Sequence, residues 1–295
     1  MLSFSRIDAQ CIPLIRPYFD HQASRSCDYT VGVIYMWRDY FQTEYALEND
    51  MLFLRMRSFS GHQFHLLPLG NGDMAQALRK LSPDDDGLLR FSVVTEEQFP
   101  LLESVFGAPH TVINERRWAD YLYEKEALST FSGKKLSGQR NHVNRFMKER
   151  GSFIYEPVTE ENADEVERFL YAHLEAQGKD HPDARAEYDY TIDTLHHLKA
   201  LQYTGAFLKL PDGTPIGMCL GETVGDTLYV HAEKALRSVN GAGQLLCREY
   251  AAHAPAHVRY INREDDMGDE GLRYAKMSLH PAMILEKKTV IFRID

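Results

Sequence analysis

Three stretches of the 295-residue chain hold the side chains best able to do chemistry. The first is FSGKKLSGQRNHVNRF, residues 131–146, continuing to Lys148 and Arg150. Leu136, Val143 and Phe146 recur there at helical spacing, which buries one face and displays Lys134, Lys135, Arg140, Arg145, Lys148 and Arg150 on the others, against the lone acid Glu149. Such a cationic strip suits phosphate, whether of a nucleic acid, an anionic lipid head group or a nucleotide cofactor; the plain alternative is a solvated linker helix. The second is NREDDMGDEGLRYAKMSLHP, residues 262–281, where Glu264, Asp265, Asp266, Asp269 and Glu270 crowd one segment directly after an expected strand end. Those carboxylates could recognise a cationic amine, act as a base, or cap a helix with Arg273 and Lys276 as salt-bridge partners. The third is RSVNGAG, residues 237–243, a glycine loop opening into a helix whose amides could hold a phosphate or pyrophosphate.

A fourth group is looser. Glu222, Tyr229, His231 and Glu233 alternate on neighbouring strands and could line an acceptor cleft, with His231 or Glu233 as a base. His62 and His65 fall three apart on an expected strand and face opposite sides, so they do not form a metal pair, while His196 and His197 point differently from one helix. No metal site is expected. Cys11, Cys27, Cys219 and Cys247 lack a C-x-x-C spacing and read as reduced, buried thiols. A Ser-His-Asp or Cys-His mechanism has no supporting elbow motif.

The elements that must position these groups follow from periodicity. In the first half, strands are expected at Met51–Met56, His62–Leu67 and Leu89–Val94, with helices at Ile7–Phe19, Asp73–Leu81 and after Thr95. In the second, helices are expected at Glu160–Gln177, Tyr188–Leu201, Gln244–Ala252 and Gly268–Ser278. Strands are expected there at Gly205–Leu210, Ile216–Thr223, Thr227–Ala232 and Val258–Asn262, and Met283–Ile294 forms a closing pair or one long strand. Both halves run strands, an Asn-Gly loop (Asn71-Gly72, Asn240-Gly241), helix, strand, acidic helix start and closing segment, a weak internal repeat that predicts tandem domains. The expected division is an N-terminal domain over 1–130, a basic connecting helix over 131–150 and a C-terminal domain over 151–295. A net charge of −10 argues against a surface coated with nucleic-acid contacts, which makes the basic strip stand out. No apolar run approaches the length of a membrane span and no signal peptide is visible, so a cytoplasmic location is expected.

The glycine loop resembles the Q/R-x-x-G-x-G/A coenzyme A loop of the Gcn5-related N-acetyltransferase (GNAT) superfamily. Gly241 and Gly243 fall on its glycine positions, while Ser238 takes the Gln/Arg position and Arg237 lies one residue early. The phrases FSGKKLSGQRNHVNRF and NREDDMGDEGLRYAKMSLHP resemble those of the phosphatidylglycerol lysyltransferase C-terminal domain family. That resemblance runs over most of the chain, to about Pro281, and implies an α/β (α+β) fold of tandem GNAT-like acyltransferase domains, each a mixed, mostly antiparallel sheet flanked by helices. It implies an acyl or aminoacyl transferase that moves an activated group to an amine or hydroxyl acceptor. The donor would be aminoacyl-tRNA or acyl-coenzyme A as a co-substrate, with no tightly bound cofactor. The acceptor would be a small molecule, a peptide or a lipid head group. No segment matches the lysyltransferases' membrane-embedded flippase region, so an acceptor other than phosphatidylglycerol is expected.

By the same resemblance, Lys134, Lys135, Arg140, His142, Asn144 and Arg145 lie at or near the inter-domain cleft and take substrate. Asn262, Glu264, Asp266, Arg273 and Lys276 lie at the substrate end of the second domain. Arg237, Ser238, Asn240, Gly241 and Gly243 would hold the donor, and His231, Glu233 and Asp265 would move protons. A backbone N–H near Tyr229–His231 is the fold-based candidate for the oxyanion donor. A non-catalytic binding protein with the same doubled fold, or an acyl-coenzyme A-dependent N-acetyltransferase, is the alternative.

Overall fold

A computed structural model describes residues 2–20, 24–58, 60–177 and 182–294. The chain divides into two compact units, 1–120 with 285–295, and 121–284. The expected boundaries differ from this division at both ends. The last strand, Lys288–Arg293, returns to the first unit, and the basic helix belongs wholly to the second.

Each unit is built on one mixed sheet. In the first, the strands in spatial order are Ser5–Arg6, Glu44–Glu48, Met51–Arg57, Gln63–His65, Leu88–Val94, Lys288–Arg293 and Thr111–Asn114, with Leu69–Gly70 added beside Met51–Arg57. In the second the order is Ile154–Pro157, Thr204–Lys209, Pro215–Val224, Thr227–Ala235, Tyr260–Asn262, Asp120–Glu124 and Met283–Leu285. The two orders match position for position. In each sheet a parallel pairing joins a strand ahead of the Asn-Gly loop to a strand after it, His65 opposite Phe91 and Thr227–Tyr229 opposite Tyr260–Asn262. The sixth place in both sheets is filled by a strand from the other half of the sequence. The repeat read from the sequence is therefore a repeat of topology, and the closing segment 283–294 splits between two sheets.

Local chemistry explains the elements that hold the site. Thr227–Ala235 and Pro215–Val224 carry long apolar runs because the sheet is covered by helices on its faces, so Leu220, Leu228, Val230 and Ala232 are all buried. Helix Ala242–His253 turns Leu245, Leu246 and Tyr250 into the same core. Helix Ser137–Arg150 adds Val143 and Phe146, with Leu136 just before it. Fully burying each of these side chains contributes about 1.5–3 kcal/mol, so the basic helix is a structural wall of the second unit and not a linker. No helix among the described residues is long and apolar enough to cross a membrane.

Candidate functional site

His231 lies on Thr227–Ala235 at a break in the ladder. Leu220 pairs with Ala232 and Gly221 with Val230, so His231 is the extra residue of a β-bulge. A bulge re-aims a side chain and takes its residue out of regular pairing, and here glycine is required at 221, where a Cβ would lie 1.9 Å from the Tyr229 carbonyl oxygen. The parallel pairing with Tyr260–Asn262 also stops at Tyr229 opposite Asn262, while the first strand runs on to Ala235. The ring therefore sits where two parallel strands part, beyond the carboxyl end of one of them, the position that favours ligands in open α/β sheets.

Both ring nitrogens are taken by carboxylates. Nε2 lies 3.0 Å from Glu222 Oε1 and Nδ1 2.7 Å from Glu264 Oε1. Tyr203 and Tyr229 stack on the ring at centroid distances of 5.3 and 6.4 Å. Burial works against a charged imidazole, but the hydrogen bonds and charges of Glu222 and Glu264 outweigh it and raise the pKa to about 9. His231 is thus an imidazolium at neutral pH, with both N–H groups donating. Its side chain and that of Glu222 are closed to solvent, whereas the Glu264 side chain is 20% exposed and forms the route inward.

The acidic segment after Asn262 is a pinned loop. Asn262 Oδ1 accepts the Glu264 amide at 2.7 Å and fixes Glu264 in a left-handed conformation, φ 59°. Asp266 is fully buried and accepts from Tyr121 Oη (2.6 Å), Arg273 Nε and Nη2 (2.8 and 2.7 Å) and the Gly268 amide (2.9 Å). Burial alone would raise its pKa, yet the Arg273 guanidinium and the Tyr121 hydroxyl hold it far below the usual carboxylate range. Lys276 is buried and donates to the Arg263 carbonyl at 2.6 Å and to that of Asp265. Asp269 caps helix Glu270–Met277 by accepting from the Leu272 amide.

The expected catalytic set therefore separates. His231 meets Glu222 and Glu264, and neither Glu233 nor Asp265 bonds its ring. Glu233 instead pairs with Arg263 Nη2 at 2.7 Å, and Asp265 Oδ1 accepts the Met267 amide in a turn. Of the residues expected to bind substrate, Asp266, Arg273 and Lys276 build the loop and Asn262 sets its first turn, leaving Glu264 facing the ring. Glu222 was legible as an alternating strand residue; Tyr203 and Arg263 carried no signal, because only folding brings them beside His231 and Glu233.

The basic strip is likewise divided. Lys134 and Lys135 precede the helix in an exposed turn, and His142, Asn144, Arg145 and Lys148 are exposed along it. Arg145 pairs with Glu149 at 2.7 Å, while Arg140 donates to the carbonyls of Phe131 and Gly133 and so caps helix Lys125–Thr130. Gln139 Nε2 donates to Ser278 Oγ at 2.9 Å, tying the start of this helix to the end of helix Glu270–Met277.

In the glycine loop, Arg237, Ser238 and Asn240 are exposed beside the N-terminus of helix Ala242–His253. Gly241 has a separate duty: at φ 83° it packs on the basic helix, and a Cβ there would lie 2.5 Å from the His142 carbonyl oxygen. Gly241→Ala is expected to destabilise the protein by at least about 2 kcal/mol, combining the left-handed penalty with the clash. Gly243→Ala, whose Cβ would meet only Ala235 at 3.9 Å, is expected to be near neutral, and urea midpoints of the two variants check the contrast.

A cavity of about 570 Å3 opens in the first unit between Leu14, Tyr18, Tyr29, Leu67, Asn71 and Met74. Its wall is mostly apolar and brings no acid–base pair together, so the candidate site is the bulge in the second unit. Among the described residues only Cys27, Asp28 and Asp120, in the first unit, bring three metal-ligand atoms within 4.8 Å of one another, and the Lys287 ammonium sits against both carboxylates there.

Two like-ordered sheets with an opened parallel pair and a glycine loop define a tandem GNAT-like protein. The chain belongs to the phosphatidylglycerol lysyltransferase C-terminal family, whose model matches residues 20–290. It is similar to a conserved protein of unknown function from Bacteroides thetaiotaomicron, with 30% identity, a TM-score of 0.92 and coverage of 99% of this chain and 100% of that one. It shares its fold with the L-PGS of Bacillus licheniformis at 12% identity and a TM-score of 0.63, covering 94% and 91% of the two chains. A curated relative, an uncharacterized protein of Mycoplasmoides gallisepticum, is 26% identical over 176 residues. That match spans 58% of this chain and 55% of the relative, so about half of the relative's length is covered.

Proposed function

We propose that the second unit transfers an aminoacyl group from the ester of an aminoacyl-tRNA to an amine or hydroxyl acceptor. The observation that carries this reading is the His231 imidazolium clamped between Glu222 and Glu264 at the opened strand pair, in a chain of this family. Glu264, the exposed member, accepts the proton of the attacking group. Glu264 then gives that proton to the departing ribose oxygen, while the buried His231 imidazolium, donating to Glu264 at 2.7 Å, orients the carboxylate and balances its charge. A backbone amide near Tyr229–His231 is the fold-based candidate for the oxyanion donor. Most of the rate comes from holding the two reactants together.

The exposed cations Lys134, Lys135 and Lys148 are the dock for the tRNA backbone. Lys134→Glu with Lys135→Glu is expected to weaken tRNA binding and to reduce the slope of log K against log salt by about 1.5–2, close to one counterion per lysine. The melting temperature should stay unchanged, since neither side chain is buried. Equal salt slopes for the double variant and the native protein count against this dock.

The exposed Arg237, Ser238 and Asn240 at a helix N-terminus favour a second reading, in which acyl-coenzyme A is the donor. Incubation with labelled aminoacyl-tRNA and, separately, labelled acyl-coenzyme A, with an amine and a hydroxyl acceptor panel, decides between them. Acceptor-dependent loss of label from tRNA supports the first reading. Turnover of the thioester alone replaces it with the second.

A further inference from the structure

Cys27 and Lys287 form a buried amine–thiol pair in the first unit that the transfer chemistry does not use. Cys27 is 4% exposed and Lys287 7%. Nζ lies 3.4 Å from Cys27 Sγ, 2.6 Å from Asp120 Oδ1 and 2.5 Å from Asp28 Oδ2. Asp120 also accepts the Cys27 amide at 2.8 Å and lies 3.4 Å from Sγ, so the sulfur and nitrogen are held facing each other from two sides. A metal would have to expel the ammonium from both carboxylates, which makes this a poor cation site. What the pocket does enforce is the approach of a nucleophilic sulfur to an amine with carboxylates at hand to take protons.

We infer that Cys27 and Lys287 are a covalent modification site, joined under peroxide by an oxygen-bridged S–O–N link. One hydrogen peroxide molecule oxidises the thiol: the S–O bond forms, the O–O bond breaks and water leaves, giving a sulfenic acid. A second, after the ammonium has passed a proton to Asp28 and so to solvent, oxidises the amine to a hydroxylamine with loss of another water. The hydroxylamine oxygen then attacks the sulfenic sulfur, forming S–O–N and releasing a third water. Four electrons leave the pair and each peroxide takes two. An inserted oxygen spans more of the 3.4 Å gap than a direct S–N bond, so the bridged form needs the smaller displacement. Asp28, at 29% side-chain exposure, is the outlet for the proton.

The test is mass spectrometry of the whole protein after treatment with hydrogen peroxide, followed by peptide mapping. The expected product is heavier by about 14 Da, one oxygen gained and two hydrogens lost, carries a Cys27–Lys287 peptide pair, and reverts with dithiothreitol. It should be absent from Cys27→Ser and from Lys287→Arg, which keeps the charge between Asp28 and Asp120 where Lys287→Met could unfold the unit. Cys27 oxidised without a linked lysine, a linked pair lighter by two hydrogens only, or a thiol that stays untouched would each overturn the proposal.

Discussion

His231→Gln lowers aminoacyl transfer by at least about 100-fold and removes an alkaline limb from the protein's stability curve. The first effect follows from the loss of the cation that orients Glu264 and balances its charge; glutamine keeps a polar shape but carries no charge to set against the two carboxylates. The second follows from linkage. The imidazole titrates near its ordinary 6.5 in the unfolded chain and at about 9 in the folded one. Its contribution is therefore complete below pH 6.5 and disappears as pH rises through about 9, with a ceiling of about 3 kcal/mol. Urea midpoints between pH 6 and 10 should fall for the native protein and be flat, from a lower start, for the variant, in which Glu222 loses its counter-charge while still buried. Parallel curves would mean that the two carboxylates do not hold a cation, and the role given to His231 would fall with it.

This site was half legible in the sequence, for physical reasons. His231 and Glu222 stood out as polar residues inside mostly apolar strands, TLYVHAEKA and PIGMCLGETV, because period-two alternation exposes such breaks. The bulge that joins them did not, since a one-residue insertion leaves no compositional mark and moves every later side chain to the other face. Glu233 and Asp265 looked as able as Glu264 to move protons. What separates them is long-range: Arg263 closes on Glu233 and the Met267 amide on Asp265, whereas the Asn262 turn swings Glu264 toward the ring.

The fold shows the same division. Asp73 ahead of Met74–Arg79 and Thr95 with Gln98 announce their helices through local hydrogen bonds, and both caps form. Ile7–Phe19 begins only at Ile12, where Pro13 is tolerated in the first turn. Glu44–Glu48, Thr111–Asn114 and Asp120–Glu124 escape a local reading because their pairing partners, not their own pattern, make them strands. Asp120–Glu124 and Lys288–Arg293 take corresponding places in the two sheets, an exchange that no local signal could reveal.

Asp266→Ala destabilises the protein by about 3–5 kcal/mol, the largest loss expected from any single residue of the acidic segment. Asp266 is the hub that Tyr121, Arg273 and the Gly268 amide share, and its removal takes their common buried acceptor from all three. The loop it pins is costly to hold: Glu264 and Met267 are both left-handed without being glycine, each at about 1–2 kcal/mol. Because its folded pKa lies below the ordinary carboxylate value, Asp266 stabilises fully above that value and loses its effect as pH falls beneath it. Acid unfolding of the native protein should thus be steeper than that of Asp266→Asn, which keeps the shape but not the charge. The same loop carries Glu264 to His231, which makes Asp266 a positioning residue with a readout beyond stability. In Asp266→Asn the His231 limb should shift from about 9 toward 6.5, as Glu264 drifts from Nδ1. A histidine titration by NMR that stays near 9 in this variant, despite lowered stability, would show that the loop's order and the site's charge are independent.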